Sequence, residues 1–335
     1  MIAKVFVPAR CRRANVHCAV MYHLPGYGGF ATPWAELGDF VQLSVSAPAL
    51  AMAHVLLDTR FTGGHDHGYN YFTDSQNNGP WNSALTTEFI PYLEARLGVG
   101  GSAQSRFLEG YSSGAWAAVW LQVSNPDFFQ AVWAVAPDPL DFRHFYQVDV
   151  TPGSTANFYR QRNGALRPLD RTDDITLKHL MQHVDDDPSE GGLISSYEFA
   201  WSPRGDDGLP LRLFDRSDGT LNEATLEAWR AYDVHAVLSD GAAALRDLLA
   251  GKLHIYCGTE DTFFYDEPTA SLCGFLRRNR YRAVCVLLSG ETHGSILGSS
   301  SLDPSGLEHL IVTQASAIWR RHAAHASPSR PRRSG

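Results

Sequence analysis

The stretch that most limits what this 335-residue chain can become is Phe107-Leu-Glu-Gly-Tyr-Ser-Ser-Gly-Ala-Trp116. Its centre, Gly110-Tyr-Ser-Ser-Gly114, fits the pattern Gly-x-Ser-x-Gly, a sharp turn from strand to helix that lifts a serine hydroxyl above the carboxyl edge of a sheet. The glycines leave room for a strained backbone and for a helix packed close to the strand. A glycine- and serine-rich pentapeptide taken alone is simply a turn, and the chain has 29 glycines. The flanks decide the matter here. Residues 105–109 form a short, partly apolar run that suits a strand, and residues 115–122 lack glycine and proline and favour helix. Ser112 is therefore a candidate nucleophile.

Strands and helices alternate around this turn. Residues 2–8 and 17–24 are apolar runs, the first ending at Pro8 and the second at Pro25-Gly-Tyr-Gly-Gly29. A glycine-rich turn directly after a buried strand can offer backbone N–H groups to an anion, which makes Tyr27 N–H, or alternatively Gly28 N–H, a candidate oxyanion donor beside Ser113 N–H. Further strands are expected over 42–48, 129–137, 252–257 and 282–288, a stretch leading into a loop over 54–58, and helices over 86–97, 242–249, 269–280 and 307–322. This alternation predicts an α/β fold, a mostly parallel twisted sheet with helices on both faces. Residues 139–238 break the pattern. Charged segments with proline and glycine separate short helices at 176–183 and 221–232, so this region reads as a helical and loop insertion that shapes a pocket. Residues 1–325 are expected to form one domain, followed by a disordered basic tail over 326–335.

An acid and a histidine follow Ser112 in the chain order that this kind of turn calls for. The strand over 252–257 runs into Gly258-Thr-Glu-Asp261, and the last strand runs into Ser289-Gly-Glu-Thr-His293. Asp261 is the preferred acid because the turn ends on it, with Glu260 and Asp266 as substitutes; Asp138, after the strand that follows the serine turn, is the runner-up. His293 is the candidate base.

Composition excludes several classes of partner. A formal net charge of -8 gives no basic footprint for nucleic acid. No run is long enough to span a membrane, and the N-terminus reads as a strand rather than a signal peptide, so the chain as given is expected in the cytoplasm, or exported if the true start lies upstream. The five cysteines, Cys11, Cys18, Cys257, Cys273 and Cys285, have no paired zinc or redox spacing and are expected as buried free thiols. His65-Asp-His67, in a long polar and aromatic loop over 61–81, suggests a metal, but adjacent residues point apart and no further ligand cluster lies nearby; lining of the pocket mouth is the better reading. No metal site is expected.

Taken together, Tyr22-His-Leu-Pro-Gly-Tyr-Gly-Gly29, Thr73-Asp-Ser-Gln-Asn-Asn-Gly-Pro-Trp81, Glu109-Gly-Tyr-Ser-Ser-Gly-Ala-Trp116, Gly258-Thr-Glu-Asp-Thr-Phe263 and Gly290-Glu-Thr-His-Gly294 resemble an esterase family of the α/β-hydrolases. That family includes S-formylglutathione hydrolases, feruloyl esterases, enterochelin esterases and mycolyltransferases. The resemblance covers residues 5 to 320. It implies hydrolysis of a small or medium carboxylic ester through an acyl-enzyme on Ser112, Asp261 and His293, with an oxyanion hole from Tyr27 and Ser113 and with no cofactor. Two departures stand out: Pro25 occupies a place where the family often has histidine, and the segment before the oxyanion turn is shorter than usual. An acyltransferase on the same triad, or a non-catalytic binding protein on the same fold, are the alternatives; a peptidase has no supporting feature. The sequence leaves the oligomeric state open.

Overall fold

The computed structural model describes residues 1–13, 16–27, 52–58, 68–172, 175–183 and 192–326. Three expectations lie outside these residues: the strand over 42–48, the His65-Asp66-His67 cluster, and the tail over 326–335 apart from Ala326, which ends the last helix and does not open a disordered tail. Gly28 also lies outside them.

Among the described residues, seven strands form one sheet: β1 (Ala3–Phe6), β2 (Val20–Leu24), β3 (Ala53–Leu57), β4 (Arg106–Tyr111), β5 (Ala131–Val135), β6 (Leu253–Gly258) and β7 (Val284–Leu288). Their order in space is β1-β3-β2-β4-β5-β6-β7. Among these seven, β1 alone is antiparallel, with Ala3 opposite Leu57, and every other pair runs parallel. Parallel strands are covered on both faces. β2, β3, β5 and β6 are accordingly buried along their whole length, which is why they read as continuous apolar runs and not as alternating ones.

The helices supply that cover. The helix expected over 86–97 begins earlier, at Trp81–Ala84, passes through a π turn at Leu85–Phe89, and continues as α1 (Ile90–Leu97) to a left-handed Gly98 cap. α2 (Ser113–Ser124) follows β4 and is buried on nearly every side. Between β5 and β6 lie α3 (Leu177–His183), α4 (Leu193–Trp201), α5 (Glu223–Trp229), α6 (Val234–Asp240) and α7 (Ala242–Leu248). Their described residues add isolated bridges but no strand to the main sheet. α8 (Asp266–Arg278) links β6 to β7, and α9 (Leu307–Ala326) crosses the opposite face. One core layer joins α2, α4 and α8 to one face of the sheet through Trp116, Tyr197, Trp201 and Leu272. The other packs Leu307, Ile311, Val312 and Ala315 of α9 against Met21, Phe107, Trp133 and Tyr256.

The cysteine expectation is corrected. Cys11 and Cys18 form one disulfide, Cys273 of α8 and Cys285 of β7 form another, and Cys257 alone is a buried free thiol. Spacings of 7 and 12 carry no pairing signal in sequence; packing α8 on β7 brings the Cys273 and Cys285 Cα atoms to 5.9 Å, within bridging distance.

Candidate active site

Ser112 stands between β4 and α2 with φ 56° and ψ −125°, a conformation that a residue with a Cβ adopts only under compulsion. The compulsion comes from packing without side chains. A Cβ on Gly110 would run into the Gly114 carbonyl, and one on Gly114 would run into the Leu24 and Pro25 carbonyls at the end of β2. Gly26 sits so close that a Cβ there would lie 3.0 Å from Ser112 Cβ. These three glycines bring the turn after β2 and the serine turn together.

Two loops at the same sheet edge bring in the acid and the histidine. β6 leads to Asp261 and β7 leads to His293, and the loops are joined by Thr259 N–H to Leu288 O at 2.9 Å and Glu260 N–H to Glu291 O at 3.0 Å. Gly258 allows this contact, since a Cβ there would meet the Glu291 carbonyl. Asp261 is fully buried. Its Oδ1 accepts the N–H groups of Phe263 at 2.9 Å and Tyr265 at 3.3 Å, while its Oδ2 lies 2.8 Å from His293 Nδ1. His293 Nε2 lies 3.1 Å from Ser112 Oγ. An ionised carboxylate accepts only, so Nδ1 carries a proton and the Nε2 lone pair faces the serine hydroxyl. The imidazole is held by rings on three sides: Tyr111 and Phe263 with centroids at 5.0 Å and Tyr265 at 5.5 Å. Tyr111 also donates its hydroxyl to the His293 carbonyl at 3.0 Å, and burial, then the Asp261 charge, push its phenol up to about 12.

The substitute acids are engaged elsewhere. Glu260 is exposed, and Asp266 pairs with Arg171 at 2.7 Å. Asp138 is buried and accepts hydroxyl protons from Tyr71 at 2.9 Å and Tyr197 at 2.8 Å on one oxygen. Burial raises its pKa, opposed by hydrogen bonds from Ser113, Tyr197 and Tyr71 and by the charge of His293. Ser113 opens α2, where the first N–H groups have no partner inside the helix. Tyr27 follows Gly26 and is exposed, at the last described position of its turn. The sequence reading missed two supports of the site. Arg171 donates from Nε to the Asp261 carbonyl at 2.7 Å, and the Tyr71 and Tyr197 hydroxyls donate to Asp138, with Tyr146 behind Tyr197; local sequence carries no sign of either, because the partners are distant in the chain.

Beneath the serine turn, on the α9 face, His23, Glu109 and Glu308 place ligand atoms within 4.8 Å of one another. Both His23 nitrogens already have partners: Nδ1 lies 2.8 Å from Glu109 Oε2 and Nε2 lies 3.0 Å from His54 Nδ1. Burial, then the charge of His23, hold the His54 pKa well below its ordinary value, so this group reads as a neutral histidine closing a buried polar chain.

Comparison with known proteins now bears on this geometry. The model of the family described as "Putative esterase" matches residues 2–287. A solved ferulic acid esterase superposes with a TM-score of 0.57 at 17% identity, covering 95% of this chain and 91% of its own. Fluorophosphonate-binding serine hydrolase F of Staphylococcus aureus gives 0.52 at 11% identity, covering 95% and 91%, and an S-formylglutathione hydrolase of the same organism gives 0.51 at 11%, covering 95% and 92%. At such identities the likeness speaks for the fold, which is that of the α/β-hydrolases. A search of curated proteins finds no match. With a Gly-x-Ser-x-Gly turn in that fold and a family model over most of its length, the chain belongs to this esterase family and is a carboxylic ester hydrolase of the serine type.

Proposed function

We propose that Ser112, His293 and Asp261 form the catalytic triad of this esterase, acting on a small or medium ester through an acyl-enzyme. The unbroken hydrogen-bond line Asp261–His293–Ser112, at 2.8 and 3.1 Å, carries this reading. His293 Nε2 takes the Ser112 proton as Oγ attacks the ester carbonyl carbon. Asp261 keeps the imidazole in register and stabilises the imidazolium. Backbone N–H groups of Ser113 and Tyr27 receive the oxyanion, a role supported by the nearness of Gly26 to Ser112. His293 then gives its proton to the leaving alcohol, and water, activated by the same nitrogen, releases the acid. The described residues from Met1 to Ala326 act as one domain, with the segment between β5 and β6 shaping the pocket. Two disulfides support folding in an oxidising compartment.

The test is turnover of p-nitrophenyl acetate and butyrate together with fluorophosphonate labelling located by mass spectrometry. Wild type is expected to turn over both esters and to carry the label on Ser112. Ser112→Ala is expected to lose label and at least about three orders of magnitude in kcat. Labelling on a different residue, or full turnover by Ser112→Ala, would refute the assignment.

A further inference from the structure

A line of buried hydroxyls runs from one half of the site to the other. Tyr71 Oη lies 3.2 Å from Ser113 Oγ and 2.9 Å from Asp138 Oδ2. Tyr197 Oη, from α4, lies 2.8 Å from the same carboxylate oxygen and 3.2 Å from Tyr146 Oη, which in turn lies 2.7 Å from Tyr265 Oη. All six side chains are buried. Their protons can be placed by counting. An ionised Asp138 only accepts, so Tyr71 and Tyr197 each spend their single proton on it. Tyr197 must then accept from Tyr146 and Tyr146 from Tyr265, while Tyr71 Oη, a donor to Asp138, also meets Ser113 Oγ at 3.2 Å. The four tyrosine protons point toward Asp138.

Both ends of this line touch the proposed machinery. Ser113 follows the nucleophile and presents its main-chain N–H to the oxyanion; the Asp138 N–H adds a second tie, to the Ser112 carbonyl at 3.3 Å. At the far end, Tyr265 donates its main-chain N–H to Asp261 and sets its ring against His293. We propose that Asp138 is a positioning residue whose carboxylate, through Tyr71 and Ser113 on one side and Tyr197, Tyr146 and Tyr265 on the other, holds the oxyanion donor and the acid loop in mutual register. This rests on the triad reading above. Asp138 thus works through neighbours and not as the base's hydrogen-bonded acid, which is the part Asp261 has.

Side-chain truncations at the two ends separate positioning from contact. Ser113→Ala keeps the oxyanion N–H, and Tyr265→Phe keeps both the ring on His293 and the N–H to Asp261. Tyr71→Phe and Asp138→Asn interrupt the line at its middle. Each is expected to lower kcat for p-nitrophenyl acetate about tenfold, the size of one misdirected hydrogen bond, with KM within about twofold. Affinity for an aliphatic trifluoromethyl ketone, which adds reversibly to the serine as an oxyanion-bearing hemiketal, should fall by the same factor. Because Ser113 and Tyr71 share one line, their double variant should lose no more than the worse single one. Should Tyr71→Phe fail to fold, as judged by circular dichroism, Ser113→Ala combined with Tyr265→Phe replaces it. Wild type that labels at Ser112 while folded Ser113→Ala, Tyr265→Phe and Asp138→Asn keep kcat and ketone affinity within about twofold would overturn the inference and leave the triad standing. Multiplying losses in the double variant would overturn it as well. A wild type without label or turnover refutes the triad, and the positioning role falls with it.

Discussion

At the scale of single residues, the serine turn concentrates strain and its relief in a few atoms. Ser112 stays at positive φ because the strand before it and the helix after it are held by contacts that a methyl group would abolish. Gly114→Ala places its Cβ against the Leu24 and Pro25 carbonyls, so α2 must move away from the turn that carries Gly26 and Tyr27. The expected outcome is a loss of more than about tenfold in kcat and a destabilisation of about 1 to 3 kcal/mol, read by ester turnover and urea unfolding. Gly79 makes the useful comparison. No atom of the described residues lies within 4 Å of a Cβ there, so Gly79→Ala, penalised only by its φ of 85°, is expected to lose stability without a comparable fall in kcat.

At the scale of elements, α6 offers a test of how burial and charge meet. Asp233 caps the helix, accepting from His235 N–H at 3.0 Å, yet burial first and the Asp141 charge second raise its pKa to about 7. In the unfolded chain it titrates near the ordinary 3.8. A raised acid binds its proton more tightly in the fold, so its contribution is full below about 3.8 and is lost as pH rises through about 7. Asp233→Asn keeps a capping oxygen and removes the ionisation. The stability of this variant relative to wild type should therefore increase from pH 4 to pH 8, by an amount on the order of 1 to 4 kcal/mol, measurable by urea unfolding across that range. Elements were the most legible level in the sequence. β2, β5 and β6 stand out because a buried parallel strand is a short apolar run closed by proline or glycine, and Ser112, Asp261 and His293 stand out because each follows such a run. The π turn before α1 leaves no such mark, since one extra residue in a turn does not alter the apolar spacing enough to show. The line through Asp138 was unreadable for a different reason: Tyr71, Tyr146, Tyr197 and Tyr265 come from four separate segments, and a tyrosine that will serve as a hydrogen-bond donor looks in sequence like one that merely packs.

At the scale of the whole molecule, two disulfides act on different regions. Cys11–Cys18 is buried and ties the strand entering the sheet, whereas Cys273–Cys285 is half-buried and staples α8 to the start of β7, the strand that leads to the His293 loop. Short closed loops of 7 and 12 residues restrain the unfolded chain modestly, worth about 2 to 3 kcal/mol each. Cys273→Ser with Cys285→Ser is expected to lower the urea midpoint accordingly, and mild reductant should reproduce that shift before it reaches the buried pair. The segment between β5 and β6 has a further consequence. Arg171 holds the Asp261 carbonyl and Asp266, and Tyr197 reaches Asp138, so this segment both borders the site and braces it. In many enzymes a cover of this kind can be exchanged to change what is accepted. Here an exchange would take away part of the scaffold under the reacting groups, so lineages drifting toward a new ester would have to rebuild that support as they went, and preference and speed would evolve as one trait.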